Sequence, residues 1–340
     1  MSKSTPDNYH KLLIIFIHGF KGDDHTFKDF PVRLENALTD AIPSVEAKSL
    51  IYPRYETRGD LEKAVEMFCL WLEHTIQDKE KEINGKGDVW ICLVGHSMGG
   101  ILAADAIIKY AIHTESTPPK IVGLLAYDTP YFGVDHDVFT RAALGRAGKA
   151  TRNITGAYTL LSNAATAGGF IATQETAVAA EKSVETTQAS ESGWGKWSLI
   201  AGLAAGVTAI GAAMGAAYYN KDKVSQGAEV LGGYLEFVSV LFNPIGLKER
   251  IHRLLQIEHS FHCYYTEIAP KGEYNKPRTF ISVPPSNVLT YFSSIPSNND
   301  DEIDAHISIF NPNQTNDLDN LTSKRLIEIV QNYEIQIANK

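Results

Sequence analysis

Ser97 stands in the run Gly95-His96-Ser97-Met98-Gly99-Gly100, between an apolar stretch at 89–94 and a helix-like segment at 101–110. A serine on a tight turn between a buried strand and a helix is a nucleophile elbow. The turn lifts the hydroxyl above the strand end, and the helix N-terminus aims its amides at nearby negative charge. Gly95 and Gly99 leave room for that turn. A serine hydroxyl attacks a carbonyl only when a histidine takes its proton and a carboxylate orients the histidine. Among eleven histidines, His306 is expected in a loop after the last strand, in the chain order serine, acid, histidine. His18 and His96 are read as shaping the oxyanion loop and the elbow, and His262 as a strand residue.

The acid has more than one candidate. Glu267 closes a strand in the second half of the chain and is the expected partner of His306. Asp128 closes the strand after the elbow and is the alternative, a position some lipases use; its other reading is an Asx turn onto Pro130. Asp300, Asp301 and Asp304 follow, in the histidine's own segment. The oxyanion donors are expected to be the backbone N–H groups of Met98, next to the nucleophile, and of Phe20, in the His18-Gly19-Phe20 loop. Neither H-E-x-x-H nor G-x-x-x-x-G-K occurs, so no metal, nucleotide or other cofactor is expected.

The elements that position these residues alternate. Residues 12–17, 47–52, 89–94, 121–127, 261–268 and 279–283 read as strands, and 29–38, 61–83 and 101–110 as helices. In the second helix Leu61, Val65, Phe68, Leu72 and Ile76 fall at helical spacing with charges between them. Repeated strand, helix, strand units predict an α/β fold with a mostly parallel sheet, its active loops at the carboxyl ends of the strands. A long loop through Pro284, Pro285 and Pro296 leads to His306. A closing helix at 318–338 would cover the sheet through Leu321, Ile327, Val330 and Ile335.

From 134 to 260 the pattern breaks into an alanine- and glycine-rich insertion, read as helical, with a small-residue tract at 164–192. Residues 198–218 carry no charge and would span about 31 Å as a helix, a bilayer core's thickness. Trp194, Trp197, Tyr218 and Tyr219 flank them, and two G-x-x-x-G pairs, Gly202 with Gly206 and Gly211 with Gly215, would let a second helix approach. Only Leu199, Ile200, Leu203, Val207 and Ile210 are strongly apolar. The stretch is therefore read either as membrane-associated or as a buried helical lid.

With 340 residues, 44% of them hydrophobic, the chain can bury a large core, and its net charge of -9 argues against nucleic acid. Cys69, Cys92 and Cys263 lie in apolar runs and read as reduced thiols of an intracellular protein. The polar N-terminus argues against a signal peptide.

The loop His18-Gly19-Phe20 with Gly22-Asp23-Asp24, the 95–100 elbow, and Thr129-Pro130-Tyr131-Phe132-Gly133 together resemble the α/β-hydrolase lipases. Within them the likeness is to the group of GPI inositol-deacylases and mitochondrial serine-active-site lipase-like proteins, particularly fungal members. Tyr265-Thr266-Glu267 and Ala305-His306-Ile307 resemble that group's acid and histidine segments, which favours Glu267. The likeness covers 11–133 and 261–310. It implies an α/β-hydrolase core at 11–133 and 261–340, starting almost at the third strand of the usual fold, and an ester substrate, often a lipid. Asp128 stands where the group usually has a small residue, which keeps it open as the acid. The group also holds members without demonstrated activity, so the alternative is a catalytically silent, membrane-associated interaction protein on the same fold.

Overall fold

Continuous apolar, β-branched runs need cover on both faces, and the sheet supplies it. The computed structural model describes residues 10–112, 117–138, 141, 233–234, 236–272, 274–315 and 317–339. Among these described residues seven strands run β1 (His10–Ile17), β2 (Val45–Ile51), β3 (Val89–His96), β4 (Ile121–Tyr127), β5 (Ser260–Ile268), β6 (Arg278–Thr279) and β7 (Phe292–Ser297). Their order is β2-β1-β3-β4-β5, with β6 and β7 both pairing with β5, and every pairing is parallel except the two-residue β6. This is the arrangement the α/β-hydrolase resemblance implies.

The helices are α1 (Phe30–Ala41), α2 (Leu61–Ile83), α3 (Met98–Ile112), α4 (Pro244–Leu254), α5 (Glu302–Ile307) and α6 (Leu318–Ala338). Leu12, Ile14 and Phe16 of β1 and Trp90, Cys92 and Val94 of β3 pack with α1 and α6 into one cluster. Their alternates Leu13, Ile15 and Leu93 are as fully buried and face the side of α2 and α3. Asp60 caps α2 by accepting the Glu62 N–H, and Asn84, in the left-handed region, ends it.

The structure corrects several expectations. Leu321 is 41% exposed and Ile335 60%; the buried stripe of α6 is Leu318, Thr322, Leu326, Ile329 and Val330. Residues 292–297, expected as loop, are β7. His306 lies in the short helix α5, not in a loop. The strand expected at 279–283 is only Arg278–Thr279.

The chain divides into two units, Met1–Asp135 with Gly233–Lys340, and His136–Gly232. The sheet-bearing unit includes the stretch from Gly233, and within it α4 packs on α3. The tract 164–192 and the charge-free stretch 198–218 lie outside the described residues. Among the described residues no helix is long and apolar enough to cross a membrane. The three cysteines are free and buried.

His262 on β5 gives a pH-dependent stability. Its Nε2 lies 2.9 Å from Ser293 Oγ of β7. Burial, helped by the Arg325 guanidinium, pushes its pKa from 6.5 down to about 4. Between those values the unfolded chain binds a proton that the folded chain refuses, so stability falls as pH drops from 6.5 towards 4. His262→Gln keeps a hydrogen-bonding group and removes the titration. Urea midpoints measured from pH 7.5 to 5 should therefore fall less steeply in this variant, by up to one proton in the slope.

Candidate active site

β3 ends and α3 begins at Ser97, whose φ of 55° lies in the left-handed region that non-glycine residues rarely enter. Such a conformation persists only where its surroundings enforce it, and it gathers at functional positions. Here two contacts enforce it. The Ser97 N–H donates to the Tyr127 carbonyl at 2.9 Å, and the Gly100 N–H closes the turn on the Ser97 carbonyl at 3.0 Å. A Cβ on Gly99 would lie 2.1 Å from the Ile17 carbonyl oxygen and 2.7 Å from that of His18, so only glycine lets α3 start against the end of β1. Gly19 is as tightly placed: its Cβ would meet that of Ser97 at 2.7 Å. The loop after β1 is therefore packed directly on the serine.

The carboxylate set against His306 is that of Asp128. Its Oδ2 lies 3.4 Å from His306 Nδ1, and both side chains have zero exposure. The separation is longer than a tight hydrogen bond, as catalytic pairs often are before substrate binds. Asp128, at a φ of 45°, is the residue at which the chain leaves β4. Its N–H donates to the Tyr264 carbonyl at 2.7 Å. One carboxylate oxygen accepts from the Thr266 N–H at 2.8 Å and the other from the Thr266 hydroxyl at 2.7 Å. β4 pairs with β5 only as far as Tyr264, and β6 takes up β5 again at Glu267. In the break between them the Asp128 side chain accepts the strand amide.

His306 is framed by rings. Phe280 stacks on it with centroids 3.7 Å apart and planes 19° apart, and the His96 ring lies 4.7 Å away. His96 Nε2–H donates to the His306 carbonyl at 3.0 Å. Burial, with the neighbouring His306 adding to it, pushes the His96 pKa well down, which keeps that imidazole neutral.

Glu267, the expected acid, sits at the far end of β5, partly exposed, between Thr279 of β6 and Pro296 of β7. The structure thus sets Asp128 against His306, with the ring of His96, the residue before Ser97, beside that histidine, and sets Glu267 in the ladder instead. Asp300 pairs with Lys271 at 3.1 Å, and Asp301 caps α5 by accepting the Asp304 N–H. Met98 opens α3, so its N–H has no acceptor within the helix. Phe20 is buried, with its ring against Tyr234 and Phe237. His18 shapes the same loop. Its Nδ1–H donates to the Gly19 carbonyl, and its own carbonyl accepts the Tyr55 hydroxyl.

Sequence reasoning missed Thr266 as the anchor of the acid and Phe280 as the cover of the histidine. Thr266 stood in the Tyr265-Thr266-Glu267 segment with no role of its own and Phe280 in no motif; the hydrogen bonds to Asp128 and the ring stack reveal them.

Residues 7–148 match the family described as "Putative serine esterase (DUF676)". That segment holds Phe20, Ser97, Met98 and Asp128 and stops short of His306. Among curated proteins no sequence matches the chain. Similar solved structures include phospholipase PlaB from Legionella pneumophila, in complex with thio-NAD, at 17% identity and a TM-score of 0.28, covering 38% of this chain and 27% of that one. A highly thermostable carboxyl esterase from Bacillus coagulans matches at 12% identity and a TM-score of 0.39, covering 96% and 92%. The peroxisomal α/β-hydrolase Lpx1 from Saccharomyces cerevisiae matches at 11% identity and 0.39, covering 97% and 78%. The chain spans about a quarter of the length of the Legionella phospholipase. These likenesses are distant, and the fold rests on the strand order above.

Proposed function

We propose that the chain is a serine hydrolase of carboxylic esters, with Ser97 as nucleophile, His306 as base and Asp128 as the carboxylate that orients it. The observation carrying this reading is the fully buried Asp128–His306 pair beside a serine held in the left-handed region. Once substrate binding closes the 3.4 Å gap, Asp128 accepts from Nδ1–H, which leaves Nε2 as the proton acceptor. As the Ser97 oxygen bonds to the ester carbon, its proton passes to His306 Nε2. The Met98 and Phe20 N–H groups stabilise the oxyanion. Collapse of the tetrahedral intermediate breaks the C–O bond, and the leaving alkoxide takes the proton from Nε2. Water then enters by the same route and releases the acid from the acyl-enzyme.

The rings of Phe20, Tyr55, Tyr234 and Phe237 gather beside the oxyanion loop. They offer an apolar setting that suits esters with long acyl chains, so lipid esters are the favoured class. A fluorophosphonate probe tests the reading. The full-length protein should be labelled and Ser97→Ala should not, with p-nitrophenyl ester hydrolysis lost in parallel. An unlabelled wild-type protein would overturn it and leave the silent interaction protein as the better account.

A further inference from the structure

The segment from Arg278 to Phe280 and the helix α5 meet in two matched pairs. Arg278 Nη1 lies 3.1 Å from Glu302 Oε1, and two residues on, Phe280 stacks on His306. Residues two apart on an extended chain share a side and lie about 6.7 Å apart, and residues four apart on a helix share a face about 6 Å apart. Arg278 and Phe280 therefore align with Glu302 and His306 like two rungs of one ladder.

The upper rung is an ion pair out of water: the Arg278 side chain is 10% exposed and that of Glu302 1%. Arg278 also donates through Nη2 to the Asp300 carbonyl at 2.9 Å, and its guanidinium lies 4.3 Å over the Tyr274 ring. A buried ion pair stabilises a fold no better than well-packed apolar residues would, because desolvation offsets the attraction. What the planar, forked guanidinium adds is direction: it fixes where the helix starts. α5 has only six residues, too few to hold its own geometry, and it carries the base of the proposed reaction.

We infer that Arg278 and Glu302 are positioning residues that set the His306 ring against Ser97 and Asp128, acting through α5 and in concert with Phe280. The inference rests on the proposed triad for its catalytic meaning. Arg278→Lys keeps the charge and loses the fork. A displacement of the order of 1 Å at a reacting group costs about 10²-fold in rate, so Arg278→Lys and Glu302→Gln should lower kcat by about 10- to 100-fold, with KM within about twofold. The double variant Arg278→Met with Glu302→Leu replaces the pair by apolar side chains. It should stay folded by circular dichroism and thermal melting, and still show the kcat loss.

The experiment measures kcat and KM on a soluble p-nitrophenyl ester, the fluorophosphonate labelling rate, and the imidazole NMR titration of His306, assigned with His306→Gln, in the full-length chain. Altered His306 titration together with slower turnover in the folded variants supports the inference. Unchanged His306 titration and kcat in Arg278→Lys and in the folded double variant would overturn it. If the wild-type protein is not labelled, the triad reading fails, and the NMR titration alone decides whether this pair sets the histidine.

Discussion

Asp128→Asn should lower turnover by about 10⁴, and Glu267→Gln should leave it within a few-fold of wild type. An amide at 128 offers His306 Nδ1 no ionised acceptor, so the imidazole is free to take the wrong tautomer and the imidazolium formed during reaction loses its counter-charge. A factor of 10⁴ corresponds to about 5.5 kcal/mol of transition-state stabilisation. The fold should tolerate the change. The amide oxygen can still accept the Thr266 N–H, and the amide nitrogen can donate to the Thr266 hydroxyl, which turns to accept. Burst labelling, kcat on a soluble ester and a melting curve for both variants make the comparison. A 10⁴ loss in Glu267→Gln with an active Asp128→Asn would reverse the assignment.

Gly99→Ala should unfold or severely loosen the elbow. Its Cβ would sit 2.1 Å from the carbonyl oxygen of Ile17, the last residue of β1, and 2.7 Å from that of His18 in the loop beyond, and neither backbone atom can rotate away as a side chain would. Relief requires α3 to shift from β1, and such overpacking costs about 3 kcal/mol, or roughly 6–12 °C in Tm for a domain of this size. Gly85→Ala is the comparison. Gly85 has a φ of +74° but nothing within 4 Å of an added Cβ, so its cost is about 1–2 kcal/mol from backbone strain alone. Thermal melts and the labelling rate of both variants check the ordering. An unperturbed Gly99→Ala protein would mean the elbow is not closed as described.

Most of the sheet was legible because its central strands are continuous apolar runs and α2 keeps its apolar residues at helical spacing over six turns. β7 was not, since Phe292 and Ile295 are its only strongly apolar residues and Pro296 argues against a strand. The proline is tolerated because β7 pairs along its length with β5 and meets another segment only at the Ser297–Thr315 bridge, so Pro296 holds an edge position where a missing N–H is allowed. In α6 the residues read as core-facing included Leu321 and Ile335, which face solvent, because apolar residues fall on both sides of that helix.

The candidates Ser97, His306, Phe20 and Met98 could be named from motif and order. The carboxylate that lies against His306 could not. Glu267 and Asp128 both end strands, and chain position cannot say which strand end lies over the histidine. What separates them is pairing: β4 parts from β5 three residues before Glu267, and that parting opens the place Asp128 occupies. Thr266, one residue from the favoured glutamate, turns out to hold its rival.

The break in pairing along β5 has a bearing on how much change this protein can absorb. Because the Asp128 carboxylate completes a row of backbone hydrogen bonds, the position of the negative charge is inherited from the strand register and owes nothing to any connecting loop. Insertions and deletions in the turns around the cleft can accumulate without moving it. A one-residue slip of β5 would take Thr266 away from Asp128 and misalign the sheet at the same stroke, so here the architecture and the placing of that carboxylate fail together.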